Sequence, residues 1–443
     1  MTELTDHLWS RFGSLTFEDL PDDVRRTANH AILDWFGCVI AGSQEPLAQI
    51  LRDEFTDSDG PCTIAGSLRR AGVLRAALVN GAAGHALDFD DTSPVMGGHP
   101  TAPMLPAAVA IAEEQKRTGA DLLTAYVVGM EVQSAIGSSI GNEHYLGGWH
   151  TTATIGVFGA AAASSWLLGL DEEGFATAMG IAASNASGVK ANFGTMTKPL
   201  HPGQAAERGA MAARLAARGY TASGTAIDGN QGFAQAAGTG SLDAERLAWI
   251  DTNWATPRTL FKFHAACHLT HAGIEATSSI LDTGVAAADI ERIELTVNPS
   301  ILDVCGIPDP TTGLEAKFSL RGTQALLVNG ADTAAIATYT DEPVNRPEVQ
   351  AFIPNVHVET NATLGSMATE VMVQTASGEH RAVADVSRPN SDLDAQGTAL
   401  RRKFDALSSP VIGEAATAAF GDQLEALAST NDVSTFLKAT VIG

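Results

Sequence analysis

Four short stretches of the chain gather side chains able to move protons or hold anions. The first, HALDFDDTSPVMGGHP from His85 to Pro100, places Asp88, Asp90, Asp91 and Thr92 just beyond a helical pattern and His99 in a Gly-Gly-His-Pro turn. Carboxylates this close can cap a following helix or hydrogen-bond the turn, which is the expected role of Asp90 and Asp91. One of them, with Thr92 beside it, can instead orient a histidine or bind a substrate hydroxyl. A divalent cation is the remaining option, but no second acidic cluster follows to complete an oxygen-rich site. His99 suits a loop, where catalytic groups tend to be placed.

In the second stretch, EHYLGGWHTTATIG, His150 directly precedes a helix that Thr151 and Thr152 can cap. A helix N-terminus favours negative charge and disfavours a charged imidazole, so His150 is a candidate base near neutral pH. Tyr145 is a candidate acid, or simply packs. The third stretch, NFGTMTKPLHPGQAAERG, has Lys198 before Pro199 with no acidic neighbour for several positions, and a helix expected from about Pro202. An anion would satisfy both the lysine and the helix end; a plain surface lysine is the alternative. In the fourth, KFHAACHLTHAG, His264, His268 and His271 fall at helical spacing. A zinc pair is conceivable there, but with no acid nearby packing is the expectation. Lys262 stands at the expected junction of two domains, where small-molecule clefts commonly form.

The missing motifs narrow the chemistry. The sequence contains no GxxxxGK[ST], no strand-led GxGxxG, no HExxH, no GxSxG and no EF-hand spacing, so nucleotide, zinc-protease and serine-hydrolase readings lose their usual support. The 51 acidic and 27 basic residues leave a formal charge of -24, which repels phosphate backbones and anionic lipid heads. Neither nucleic acid nor a membrane is an expected partner, and an anionic substrate needs local positive groups. Four widely spaced cysteines and no evident secretion signal point to reduced thiols in the cytoplasm. The most apolar run, Thr154 to Leu170, is short for a bilayer span and reads as a buried helix.

These residues need a scaffold, and 443 positions are enough for two domains. Up to about residue 250 apolar residues recur three and four apart among strong helix formers, and Gly42, Gly119, Gly169 and Gly219 follow helical patterns as expected C-terminal caps. Alanine on nearly every face predicts helices packed on helices. Beyond that, IERIELTVNPS alternates as a strand, MATEVMVQTASGEHRAVADV reads as a hairpin turning at Ser377 and Gly378, and EAKFSLRGTQALLVNG and a piece from Pro347 read as helices. The expected fold is mainly α with a smaller α+β domain: a helical domain of residues 1–261 and 389–443, and an α+β domain of residues 262–388.

Taken in order, HALDFDDT with GHP, GWHTTATIGVFGAAAA, TKPLHPGQAAERG and KFHAACHLTH resemble the MmgE/PrpD family across almost the whole chain. That family includes 2-methylcitrate dehydratase, cis-aconitate decarboxylase and iminodisuccinate epimerase. The resemblance implies a large helical domain with an α+β lid, a homodimer, and no metal or organic cofactor. It carries the decarboxylase-like site onto Asp88, Thr92, His99, His150, Lys198 and Lys262, with the loop before His99 one residue longer here. It implies a small di- or tricarboxylate substrate and proton movement at the carbon beside a carboxylate, with Asp88 fixing the tautomer of one imidazole. Where many dehydratases and decarboxylases carry a tyrosine this chain has Gly322. Together with YLGGWH and NFGTMTKP, that inclines the resemblance towards the epimerase branch.

Overall fold

The computed structural model describes residues 3–56, 60–238 and 240–441. It is mainly α, with a smaller α+β part, and forms two compact units: residues 1–261 with 390–443, and residues 262–389.

In the first unit small residues decide how closely helices approach. The helix Val73–His85 crosses the helix Thr197–Ala216 where Gly81 faces Gly203. A Cβ on Gly203 would lie 2.4 Å from the Leu78 carbonyl oxygen, and one on Gly81 would lie 2.8 Å from the Gly203 Cα. No side chain fits between these backbones, so His85 at the end of one helix is drawn towards the first turns of the other. The helix Gly156–Leu168 is buried on almost every face, as its alanine content predicts. It packs in a core with Val128, Val132 and Ile136 of the helix Gly119–Ile140, and with Phe175 and Met179 of the helix Glu172–Ala183. Among the described residues, only Thr151–Leu168 is long and apolar enough to cross a membrane by length and composition, and 89% of it is buried inside the protein.

Two local expectations change. Gly169 and Gly219 take positive φ at helix ends, but Gly119 opens the helix Gly119–Ile140, and the left-handed cap before it is Lys116 at φ 53°. The third helix of the site begins at Thr197, not Pro202. Pro199 falls in the first turn, whose N–H groups have no partner inside the helix, and Pro202 removes only one donor from the ladder.

The second unit is built on one mixed sheet, with β1 (Ile290–Val297) in the middle, parallel to β2 (Val356–Thr360) on one side and antiparallel to β3 (Ala368–Thr375) on the other. The outer strand β4 (Gly378–Asp385) pairs with β3 through a two-residue turn at Ala376 and Ser377. The helix His268–Asp282 buries Ala276 and Ile280 against a core that includes Ile293, Leu295, Val371 and Val373. The segment expected as one helix over 315–330 is two, Gly313–Lys317 and Leu320–Val328, because Ser319 leaves the helical conformation and its hydroxyl caps Gly322 N–H.

The helix crossing gives a direct test. Gly203→Val is expected to cost about 1–3 kcal/mol by overpacking, read as a lower Tm in thermal denaturation. An unchanged Tm would show that the two helices have room to spare.

Candidate active site

The helix Val73–His85 ends at His85, and the chain turns at once through Asp88, whose φ of 53° is left-handed and strained for a residue with a side chain. That turn aims Asp88 and Asp90 into the same buried space. Asp90 is fully buried, and its two oxygens lie 2.9 and 3.0 Å from His85 Nδ1. His99 Nδ1 approaches the same carboxylate at 3.0 Å, at an angle outside hydrogen-bonding geometry, while His99 Nε2 lies 3.5 Å from Asp88 Oδ1. Lys198 Nζ closes the group, 2.6 Å from that same Asp88 oxygen. Lys198 therefore has a carboxylate partner, contrary to expectation; the partner lies 110 residues away along the chain. Asp90 rather than Asp88 is the closer carboxylate to the histidines.

His99 reaches the group because Gly98 lets its loop lie flat on residues 151 and 152. A Cβ on Gly98 would be 2.9 Å from Thr151 Oγ1 and 3.0 Å from Thr152 N. The two threonines clamp the loop instead of capping a helix: Thr151 Oγ1 donates to the Gly97 carbonyl, and Thr152 Oγ1 accepts from His99 N–H at 3.1 Å. The expected cap is lost because both hydroxyls are committed to that loop. His150 comes next to the group, its ring 6.1 Å from that of His85 and 4.9 Å from Phe193, while Lys198 Nζ stands 5.4 Å from the Phe193 ring. His150 Nδ1 faces His201 Nδ1 at 3.0 Å.

Behind the loop a second layer holds it still. Asp91 accepts from the Thr101 hydroxyl at 2.6 Å, and Thr101 contacts the Tyr126 hydroxyl at 2.8 Å. Lys403, from the helix Leu393–Ile412, lies 2.6 Å from Asp34 and donates to the Phe89 carbonyl at 2.7 Å.

The electrostatics follow from burial. Burial pushes His85 down to about 4, with Lys198 and His99 adding to the fall against the opposing pull of Asp90. Burial also holds His150 well below its ordinary value, followed by the positive neighbours His85, Lys198, His201 and His99. The expected helix-end effect is not the cause, since the helix that follows, Thr151–Thr154, is only four residues long. For Asp90 burial acts upward, but the two imidazoles facing it outweigh that and keep it well below the usual carboxylate range. Asp91 has no such partner, and burial raises it well above that range. The result is a charged Asp90 carboxylate beside a His85 ring that burial keeps neutral near pH 7.

Of the other expected residues, Thr92 exchanges backbone hydrogen bonds with Leu260 at 2.8 Å in both directions. Tyr145 lies on the short helix Asn142–Leu146 with the Lys190 ammonium 3.6 Å from its ring centre. Lys262 is the first residue of the second unit and is buried. His264 lies before the helix that carries His268 and His271, and its acid is Glu275, 3.0 Å from Nε2. Two residues escaped the sequence: His85, hidden in a helix end, and His201, hidden between Leu200 and Pro202. The signal for both was present, since His85 is five residues from Asp90 and His201 is one turn from Lys198.

Ligating atoms of His85, Asp88, Asp90 and His99 lie within 4.8 Å of one another, close enough to gather round a divalent cation. Lys198 competes for Asp88 with a charge of the same sign, and His85 Nδ1 is engaged by Asp90.

Residues 8–245 match the MmgE/PrpD N-terminal domain and residues 264–427 the MmgE/PrpD C-terminal domain. The chain belongs to the MmgE/PrpD family. Its relatives include a cis-aconitate decarboxylase-like protein of Aspergillus oryzae, 33% identical over 62% of this chain and 61% of the relative. The cis-aconitate decarboxylase of Aspergillus terreus is 28% identical over 76% of this chain and 74% of its own length. The human cis-aconitate decarboxylase is 30% identical over 81% and 77%. As a member of this family the chain is an enzyme.

Neutral buried histidines make stability depend on pH. His85 in the folded MmgE/PrpD chain binds a proton only near pH 4, against about 6.5 when unfolded, so the unfolded state binds more protons in between. Stability should be full above about pH 6.5 and fall towards pH 4, by roughly 1.4 kcal/mol per pH unit for each such histidine. Chemical denaturation at a series of pH values checks this; a midpoint constant from pH 7 to pH 4.5 would contradict it.

Proposed function

We propose that this enzyme is a lyase of small di- or tricarboxylates that works by moving a proton at a carbon beside a carboxylate. What carries the proposal is the meeting of an ammonium and three imidazoles from distant segments, Lys198 with His85, His99 and His150, around the Asp88 and Asp90 turn. Lys198, its ammonium on Asp88, binds a substrate carboxylate and the charge that develops on it. His150, held neutral by burial, takes or returns the proton. His99, whose ring lies 4.5 Å from that of His85, is the second proton carrier, and Asp90 holds the His85 tautomer. Asp88 keeps Lys198 in place, and Thr92 and Tyr145 are the further candidates for substrate contacts in the same unit.

The decarboxylase relatives favour loss of carbon dioxide from cis-aconitate. In that reaction CO2 leaves, the bonding electron pair stays on the carbon skeleton, and a histidine N–H supplies the proton that replaces it. A dehydratase acting on a 2-methylcitrate-like acid would use the same groups to expel hydroxide. As in the family, the enzyme works as a cytoplasmic homodimer with neither metal nor organic cofactor.

A second reading, epimerisation of an iminodisuccinate-like diacid, is favoured by Gly322. Its N–H is taken by Ser319 Oγ, and a Cβ there would lie 2.8 Å from Pro310 Cγ, so the position leaves no room for a phenol. Two bases on opposite faces and no leaving group give epimerisation. A non-catalytic carboxylate binder would bind such acids tightly in calorimetry and turn over none of them.

Purified enzyme incubated with cis-aconitate should lose ultraviolet absorbance and release CO2. Deuterium exchange into a substrate that is not consumed would instead support the epimerase. On the substrate so identified, Lys198→Ala and His150→Ala should each lower kcat by about 10²–10⁴, and dialysis against a chelator should leave it unchanged. Full turnover by either variant would overturn the assignment.

A further inference from the structure

The contact between His150 Nδ1 and His201 Nδ1, at 3.0 Å, can hold only one proton. Two N–H groups would clash, and two bare nitrogens would set lone pair against lone pair. The pair therefore links the two tautomers: if one Nδ1 carries the proton, the other must be bare. His201 is 4% exposed and sits one turn after Lys198 on the helix Thr197–Ala216, so its ring is anchored to a rigid element. The segment at Gly188 fixes both partners. Its carbonyl accepts His150 N–H at 3.0 Å, and the His201 ring rests where a Cβ on Gly188 would be only 3.4 Å from Cγ and Nδ1.

We propose that His201 is the positioning residue of the site: its bare Nδ1 accepts the Nδ1–H of His150, which leaves Nε2 of His150 bare and turned away from His201 towards the substrate. The proposal rests on the reading of His150 as a proton carrier. When His150 takes a proton from carbon at Nε2, the C–H electron pair stays on the substrate, and the Nδ1–H bond to His201 persists and spreads the new positive charge over two rings. An acidic partner in this place would stabilise the imidazolium and make His150 a sluggish donor when the proton must return. A neutral imidazole fixes the tautomer without that penalty. Buried among other positive groups, both rings are held below their ordinary pKa, which favours a neutral pair at rest.

The test reads the tautomer directly. In enzyme labelled with ¹⁵N-histidine and free of substrate, NMR at pH 7 should show His150 protonated at Nδ1. His201→Asn, whose side-chain oxygen can accept the same hydrogen bond, should keep that tautomer. His201→Phe should lose it and lower kcat about 10-fold to 100-fold with KM nearly unchanged. A proton on Nε2 of His150 in the unmodified enzyme would overturn the proposal without any variant, as would a His201→Phe enzyme with the original tautomer and kcat. If the tautomer behaves as stated while His150→Gln retains full kcat, His201 still positions His150 and it is the proton-carrier reading that fails.

Discussion

A carboxylate buried as deeply as Asp90 stays charged only if donors face it, and the first unit is arranged around meeting that demand. His85 supplies the hydrogen bond from one end of a short loop, and the His99 ring faces the same carboxylate at 3.0 Å from the other. Asp88, forced into a left-handed turn, places a second carboxylate that Lys198 answers. The site is thus held by charge pairs that reach across the chain, and each pair commits a helix. His85 needs the close Gly81–Gly203 crossing, Lys198 needs a helix that starts before two prolines, and His99 needs Gly98 to lie flat on Thr151 and Thr152.

The second layer explains why the C-terminal segment returns to the first unit. Lys403 is buried between Asp34 and the Phe89 carbonyl, with its ammonium 3.9 Å from the Phe89 ring centre. Removing one partner of such a buried pair typically costs several kcal/mol because the other charge is left stranded. The loop that carries Asp88 and Asp90 is therefore pinned from behind by a residue more than 300 positions away, which limits its mobility.

Much of this was legible beforehand. Helical periodicity and alanine content pointed to helices packed on helices, and alternation identified β1, β3 and β4. Asp88, His99, His150 and Lys198 stood out by residue type and setting, and the structure places them in one group. What escaped was whatever depends on distance along the chain. The Asp88–Lys198 pair spans 110 residues, so local sequence showed Lys198 as unpartnered. His201 was masked by Pro202, which looked like a helix start, and the Lys403 contact with Phe89 spans 314 residues. Strand β2 was missed because five residues with no hairpin partner give little periodicity, and its parallel pairing with β1 has no local signal.

The most direct measurement is a crystal structure of the enzyme with an unreactive tricarboxylate bound. The account predicts one ligand carboxylate within about 3 Å of Lys198 Nζ, in hydrogen-bond range, with the carbon beside a carboxylate facing Nε2 of His150. A ligand bound elsewhere, with the Asp88–Lys198 pair undisturbed and His150 facing only protein, would contradict it.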